Sequence, residues 1–164
     1  MEFAYIYETK LGKIVFKEKD ESITEVSISV DETGNEGDVQ SNLLFRETDL
    51  IKAAAIQLCE YLDGKRQNFT IPLKPEGTEF QKKVWNALIS IPYGEVRTYK
   101  QIAEQVGNEK ASRAVGMANH NNPIMCLIPC HRVIGANGSL VGYAGGLHRK
   151  EFLLNLEKAN SQVG

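Results

Sequence analysis

The sequence is short of several things. It has three cysteines, five prolines and one tryptophan in 164 residues, and no apolar run that approaches the roughly 20 residues needed to cross a bilayer. Its start, MEFAYIYETK, lacks the basic and apolar regions of a secretory signal. These absences argue against a membrane partner and predict a cytoplasmic protein. Cys59, Cys126 and Cys130 form an odd set in a reducing compartment, so no disulfide framework is expected and each thiol needs its own explanation. A strong charge of one sign is missing as well, the net being −2. With 42% apolar and 24% charged residues, the chain has the balance of a soluble globular protein with a real core. Its length suits one domain, or a small domain joined to a second.

The near-neutral total hides an asymmetry. Residues 1 to 73 carry 8 Lys and Arg against 14 Asp and Glu, whereas residues 74 to 164 carry 11 against 7, a net of +4, and hold all three histidines. A polyanion would be met by the second half. "IPLKPEG" (71 to 77), with two prolines and a glycine, lies where the balance changes sign, and the domain boundary is placed there: 1 to 73, then 74 to 164.

In the first part "FAYIY", "KIVFK" and "ITEVSISV" are rich in β-branched and aromatic residues, and Val26, Ile28 and Val30 alternate with serines. They predict antiparallel hairpins. Residues 31 to 42 are polar and acidic, a surface loop. A helix is expected from 49 to 63, capped by Asp49, with Ile51, Ala54, Ala55, Leu58 and Leu62 as its stripe and Gly64 at its end. Cys59 lies beside that stripe and reads as an incidental thiol. The fold class is thus a small α/β domain, an antiparallel sheet with a helix, followed by a mainly helical domain.

In the second part Thr78 and Gln81 form a capping box for a helix with Phe80, Val84, Trp85, Leu88 and Ile89 on one side. Thr98 and Gln101 repeat the pattern on a short helix, 98 to 106, which Gly107 closes. A further short helix is expected from 110 to 120. Two short helices joined by a glycine-containing turn are the helix-turn-helix pattern, a weak signal alone. At 100° per residue Ala111, Ala114, Val115 and Ala118 share one face of the second helix, leaving Arg113, Gly116, Met117 and His120 on the other. Such a small, apolar outer face lets the backbone approach a groove while one side chain wedges between bases.

The stretch IPCHRVIG (128 to 135) sets a thiol beside an imidazole and a guanidinium. Haem attachment needs two residues between the cysteines, and structural zinc usually wants a second ligand pair, so no metal is expected. Cys126 lies in the apolar run IMCLI and reads as core. A free thiol is only slightly ionised at neutral pH, so Cys130 as a nucleophile would need a base or a positive field. Neighbours in an extended chain point to opposite sides, and His131 can assist Cys130 only through a turn or a bridging water. On spacing alone, a buried cysteine followed by a satisfied histidine fits as well as an activated nucleophile. In the last helix Phe152, Leu153 and Leu156 form a stripe with Glu157 at its edge. That carboxylate has His131 or an arginine as partner, or lies at the surface rim of the core.

Taken together, YGEVRTYKQIA, SRAVGMANHNNP, IPCHRVIG and GYAGGL, in this order and at compatible spacing over residues 72 to 158, resemble the O6-alkylguanine-DNA alkyltransferases, also called methylated-DNA-protein-cysteine methyltransferases. The resemblance implies that Cys130 takes an alkyl group from guanine O6 by direct displacement, keeps it as a thioether and is used once. Alkylthymine is a further possible substrate by the same implication. His131 would act as base through a water, Glu157 would orient it, and Tyr99 would donate its hydroxyl to the leaving guanine. Arg113 would enter the stack from the minor groove while the damaged nucleotide is flipped out, with Thr98, Gly116, Met117 and Asn119 also at the DNA. Tyr143, Ala144, Gly145, Val133 and Asn122 would surround the base, Asn122 also tying the reading helix to the acceptor segment. The implied partner is double-stranded DNA containing alkylated guanine, met by a monomer without cofactor. The zinc-binding Cys and His residues of some relatives are missing from the first part. Competing readings are a non-transferring reader of alkylated bases, whose known examples replace the acceptor cysteine, a helix-turn-helix regulator, and a thiol oxidoreductase.

Overall fold

The computed structural model describes residues 1–29, 43–138, 143 and 145–161. The expectations for Val30, for the loop at 31 to 42 and for Ala144 lie outside the described residues. The chain divides into two compact units, Met1–Pro75 and Glu76–Gly164. The division falls two residues beyond the expected one because residues 72 to 74 belong to the first sheet: Ile23 N donates to the Pro72 carbonyl at 2.9 Å and Lys74 N to the Ile23 carbonyl at 2.8 Å.

In the first unit β1 (Glu2–Thr9), β2 (Gly12–Lys19) and β3 (Ser22–Ile28) pair antiparallel. The β2–β3 turn sets Asp20 and Glu21 at φ 52° and 62°, the positive values a two-residue hairpin of matching twist requires. The sheet is mixed rather than purely antiparallel, since β4 (Leu43–Phe45) runs parallel to β1 and gives the order β3-β2-β1-β4. No local signal in a three-residue strand announces that pairing. Ile14 and Phe16 of β2 and Ile23 and Val26 of β3 are buried, as are Ile51, Ala54, Ala55, Leu58, Tyr61 and Leu62 of α1 (Asp49–Leu62). Each such large side chain contributes about 1.5–3 kcal/mol by leaving water. The cap of α1 is Thr48, not Asp49: the Thr48 hydroxyl accepts from Ile51 N at 3.1 Å and donates to the buried Glu18 carboxylate, while Asp49 is already helical.

In the second unit α2 (Glu79–Ile89) and α3 (Tyr99–Gln105) both carry the expected reciprocal capping boxes, Thr78 with Gln81 and Thr98 with Gln101. Gly77 is required before α2, because a Cβ there would stand 2.5 Å from the Trp85 ring. Val84, Trp85, Ala87 and Leu88 are buried, but Ile89, expected in the stripe, is 49% exposed at the helix end. Trp85 Nε1 donates to the Ala118 carbonyl at 2.9 Å and pins α4 (Ser112–His120) to α2. This helix begins two residues later than expected, and its inner face is rotated. Val115, Ala118 and Asn119 are buried while Ala114 is exposed, the inner row running at i, i+3, i+4 from Val115. A short parallel pair, β5 (Arg97–Thr98) with β6 (Val133–Ile134), and α5 (Leu147–Ser161) complete the unit. No helix among the described residues is long and apolar enough to cross a membrane.

Candidate active site

The acceptor segment is built from short-range bonds. Leu127 N donates to the Met125 carbonyl (2.8 Å), Ile128 N to Ile124 (3.0 Å) and Cys130 N to Ile128 (2.8 Å), and every residue from 124 to 133 is buried. Cys126 adopts φ 69° in this tight path, a left-handed value that a non-glycine residue keeps only where its surroundings over-determine it. It is a core residue, as expected. Asn122 staples the segment: its Oδ1 accepts from Ile124 N at 3.0 Å, and its Nδ2 donates to the carbonyls of Ile128 at 2.9 Å and Ile124 at 3.3 Å.

After Pro129 the chain makes a 3-10 turn, Cys130–Arg132, which supplies the turn that adjacent residues need if they are to work together. Cys130 is 3% exposed. Burial pushes its thiol up to about 11, against hydrogen bonds from Asn122 and Tyr143 and the positive charge of Lys150, all of which favour the thiolate. The resting group is therefore a thiol, which would need a base in order to act as a nucleophile.

His131 is fully buried and its Nε2 stands 2.7 Å from Glu157 Oε2. Glu157 lies on the inner face of α5, at i, i+3, i+7 with Lys150 and Leu153, rather than at the edge of a stripe; Phe152, expected inside, is exposed. Both Glu157 oxygens are occupied twice. Oε2 accepts from His131 Nε2 and Arg132 Nη2 (2.9 Å), and Oε1 from Arg132 Nε (2.8 Å) and Gly94 N (3.1 Å). Burial alone would raise the Glu157 carboxyl, but the bonds and charges of His131 and Arg132 outweigh it and hold the group at about 2. A carboxylate cannot donate, so His131 carries its proton on Nε2 and the lone pair of the neutral ring is on Nδ1. Burial also lowers His131 below the usual imidazole value; Glu157 opposes that shift, while Arg132 and Lys150 add to it.

Two further residues complete the cluster. Arg132, the arginine beside the thiol and imidazole in the sequence, is a partner of Glu157 together with His131, and sends Nη1 to the Ile91 carbonyl at 2.6 Å. Lys150, for which no role was expected, is fully buried, donates to the Val133 carbonyl and is lowered by burial to about 8, while ionisation of Cys130 would pull it back up. Its spacing from Leu153 and Glu157 was the available signal.

Around this centre Tyr143 is buried, and a Cβ at Gly145 would stand 2.7 Å from its ring, so the residue there has to be glycine. Val133 is buried at the start of β6. Tyr99 opens α3, half-buried, and its hydroxyl is raised by burial and by the charge of Cys130, with a hydrogen bond to Asn119 acting the other way. Gly116 of α4 lies over the Tyr99 ring, where a Cβ would come to 3.9 Å. Asn119, expected at the DNA, is instead 1% exposed and donates to the Cys130 carbonyl at 3.3 Å, while Ala114 is exposed. It therefore ties α4 to Cys130. Arg113, Met117 and His120 are exposed on the outer face, Met117 at 65%. The half-buried Thr98 uses its oxygen to cap α3. Among the described residues no group of three or more His, Cys, Asp and Glu side chains is placed to hold a metal.

Comparison with known proteins agrees in both units. Residues 79–159 match the family model of the 6-O-methylguanine DNA methyltransferase DNA binding domain, and residues 4–75 match that of the ribonuclease-like domain of the same proteins. The methylated-DNA–protein-cysteine methyltransferase of Methanosarcina acetivorans is 50% identical over 155 residues, covering 93% of this chain and 96% of that protein. The constitutive one of Bacillus subtilis is 45% identical over 152 residues, 92% of each. A crystal structure of the Mycobacterium tuberculosis O6-methylguanine methyltransferase superposes with a TM-score of 0.86 at 38% identity, over 98% of this chain and 94% of that one. The Mycobacterium tuberculosis OGT in complex with DNA gives the same TM-score and identity over 96% and 94%. The chain belongs to the methylated-DNA–protein-cysteine methyltransferase family.

Proposed function

We propose that this chain repairs DNA by moving the alkyl group of O6-alkylguanine, methyl above all, onto the sulfur of Cys130 in one irreversible event. The observation that carries the reading is a buried thiol held in one short turn with a buried His131–Glu157 pair. Through a bridging water His131 takes the Cys130 proton. The sulfur lone pair then forms the S–C bond, the C–O6 bond breaks, and its electron pair passes to the purine. Tyr99 supplies a proton to the ring, so that guanine leaves neutral. A thioether carbon is not displaced by water or imidazole under ordinary conditions, so the protein is consumed. Alkyl groups on thymine O4 present the same electrophilic carbon to the same sulfur.

A duplex hides that carbon from a thiol 3% exposed, so the nucleotide has to leave the stack. The exposed Arg113 on the outer face of α4, with Met117 one turn on, fits the space a flipped base vacates, and the +4 balance of residues 74 to 164 favours a DNA partner. Tyr143 and Gly145 line the receiving side. Arg113→Ala tests this directly. Transfer from an O6-methylguanine duplex is expected to slow on the order of 10- to 100-fold, in keeping with a few kcal/mol of unstacking, while reaction with the free alkylated base stays within about twofold. Equal losses on both substrates contradict the flipping role. Absence of transfer by the unaltered protein contradicts the function itself.

A further inference from the structure

We propose that Arg132 is a positioning residue of the transfer reaction: by gripping both carboxylate oxygens of Glu157, it cancels the charge that would otherwise hold a proton on His131, and so keeps the imidazole a neutral base. The inference rests on the reading of His131 as the base for Cys130.

A buried carboxylate at hydrogen-bond distance from an imidazole ordinarily favours the imidazolium, which cannot accept a proton. His131 and Glu157 stand at 2.7 Å and neither has more than 1% exposure, so that tendency would be strong here if the pair were alone. It is not alone. Arg132 places Nε on Oε1 at 2.8 Å and Nη2 on Oε2 at 2.9 Å, the planar fork that a guanidinium matches to a carboxylate. The cluster is then neutral with the ring unprotonated, and a further proton would leave an uncompensated cation in a dry site. The charged and titratable groups around His131 argue in the same direction. Glu157 and Lys150 act on it from α5 and Arg132 from its own turn, while Tyr93, in the segment after α2, lies against the guanidinium with its ring centre 5.7 Å away. Of these only Glu157 favours the imidazolium, and Arg132 has already matched its charge.

Arg132 also bonds the Ile91 carbonyl, and a purely structural arginine would slow the reaction on removal too. The experiment therefore reads protonation. The His131 ring signal, assigned by its loss in His131→Gln, is followed by NMR from pH 4.5 to 8 in the full-length protein, alongside the pH dependence of alkyl transfer. In the unaltered protein the midpoint is expected below the ordinary value of about 6.5. Arg132→Leu is expected to raise it by about one unit or more, at least a tenfold gain of imidazolium at a given pH, and to move the acid limb of the transfer rate equally. Arg132→Lys, which keeps the charge without the fork, is expected to return most of the shift. A slower Arg132→Leu with midpoint and limb unmoved overturns the proposal. So does a midpoint at or above the ordinary value in the unaltered protein, which decides the matter even if the variant does not fold. Failure of the chain to accept an alkyl group would overturn the functional reading instead and leave the titration interpretable.

Discussion

Replacing Cys130 with serine is expected to abolish alkyl transfer from methylated duplex, a loss on the order of 1,000-fold or more, while affinity for that duplex stays within about threefold. The two halves of this expectation have separate causes. A hydroxyl is a far weaker nucleophile than a thiol, and the dry setting that already pushes the Cys130 thiol up to about 11 opposes an alkoxide still more. Binding, by contrast, would be carried by the outer face of α4, where Arg113 and Met117 are exposed and Cys130 is not. The substitution is nearly isosteric and Asn122 and Tyr143 remain as hydrogen-bond partners, so the fold should survive. Single-turnover assays on labelled duplex, with gel-shift titrations beside them, check both halves. Persistent transfer would mean that another nucleophile does the chemistry.

The second large effect falls on stability. Glu157→Gln leaves Arg132 buried without its counter-charge, and breaking a buried pair in this way costs about 3–5 kcal/mol. For a unit of this size that corresponds to a fall in Tm of roughly 10 °C or more. The pH dependence has a definite sign. The Glu157 carboxyl is held at about 2 in the folded chain, below its unfolded value of about 4.3, so the stability it contributes is present above that unfolded value and is lost as pH falls toward the folded one. Glutamine does not titrate. The two proteins should therefore differ most at neutral pH, with the gap narrowing below about pH 4 and closing only toward the folded value of about 2. Denaturant unfolding at pH 7, 5 and 3 measures the gap, and a gap as wide at pH 3 as at pH 7 contradicts the ionised carboxylate on which the His131 assignment depends.

What could be read from the sequence follows the range of the forces involved. Capping boxes act within four residues, and those at Thr78 and Thr98 mark α2 and α3 where the structure has them. The apolar stripe of α1 is read from one periodicity, and all five of its expected members are buried. The parallel β1–β4 pair and the bonds from Ile23 to Pro72 and Lys74 join distant segments, which explains both the mixed sheet and the shifted boundary. At the site, the family resemblance implied roles for Cys130, His131 and Glu157, and the structure sets His131 Nε2 2.7 Å from Glu157 beside a buried Cys130. An arginine was one of the partners expected for Glu157, and Arg132 fills that place, whereas Lys150 was missed because a cation is tolerated in a core only through partners elsewhere in the chain, here the Val133 carbonyl. Asn119 was misplaced by a small error in helix phase. At 100° per residue the difference between Ala114 and Asn119 facing inward is a small rotation of α4, set by long-range partners such as Trp85 bonding to the Ala118 carbonyl and Asn119 bonding to the Cys130 carbonyl.

The central claim is that one particular sulfur ends the reaction carrying the alkyl group. Intact-mass analysis after incubation with excess O6-methylguanine duplex, followed by peptide mapping, measures this with no variant at all. A single gain of about 14 Da per chain, one methyl in place of the thiol proton, is predicted to reside on the peptide containing Cys130, with Cys59 and Cys126 unmodified. An unchanged mass on a protein that still binds the duplex would make the chain a reader of alkylated bases, and a methyl found on any other residue would contradict the assignment of Cys130.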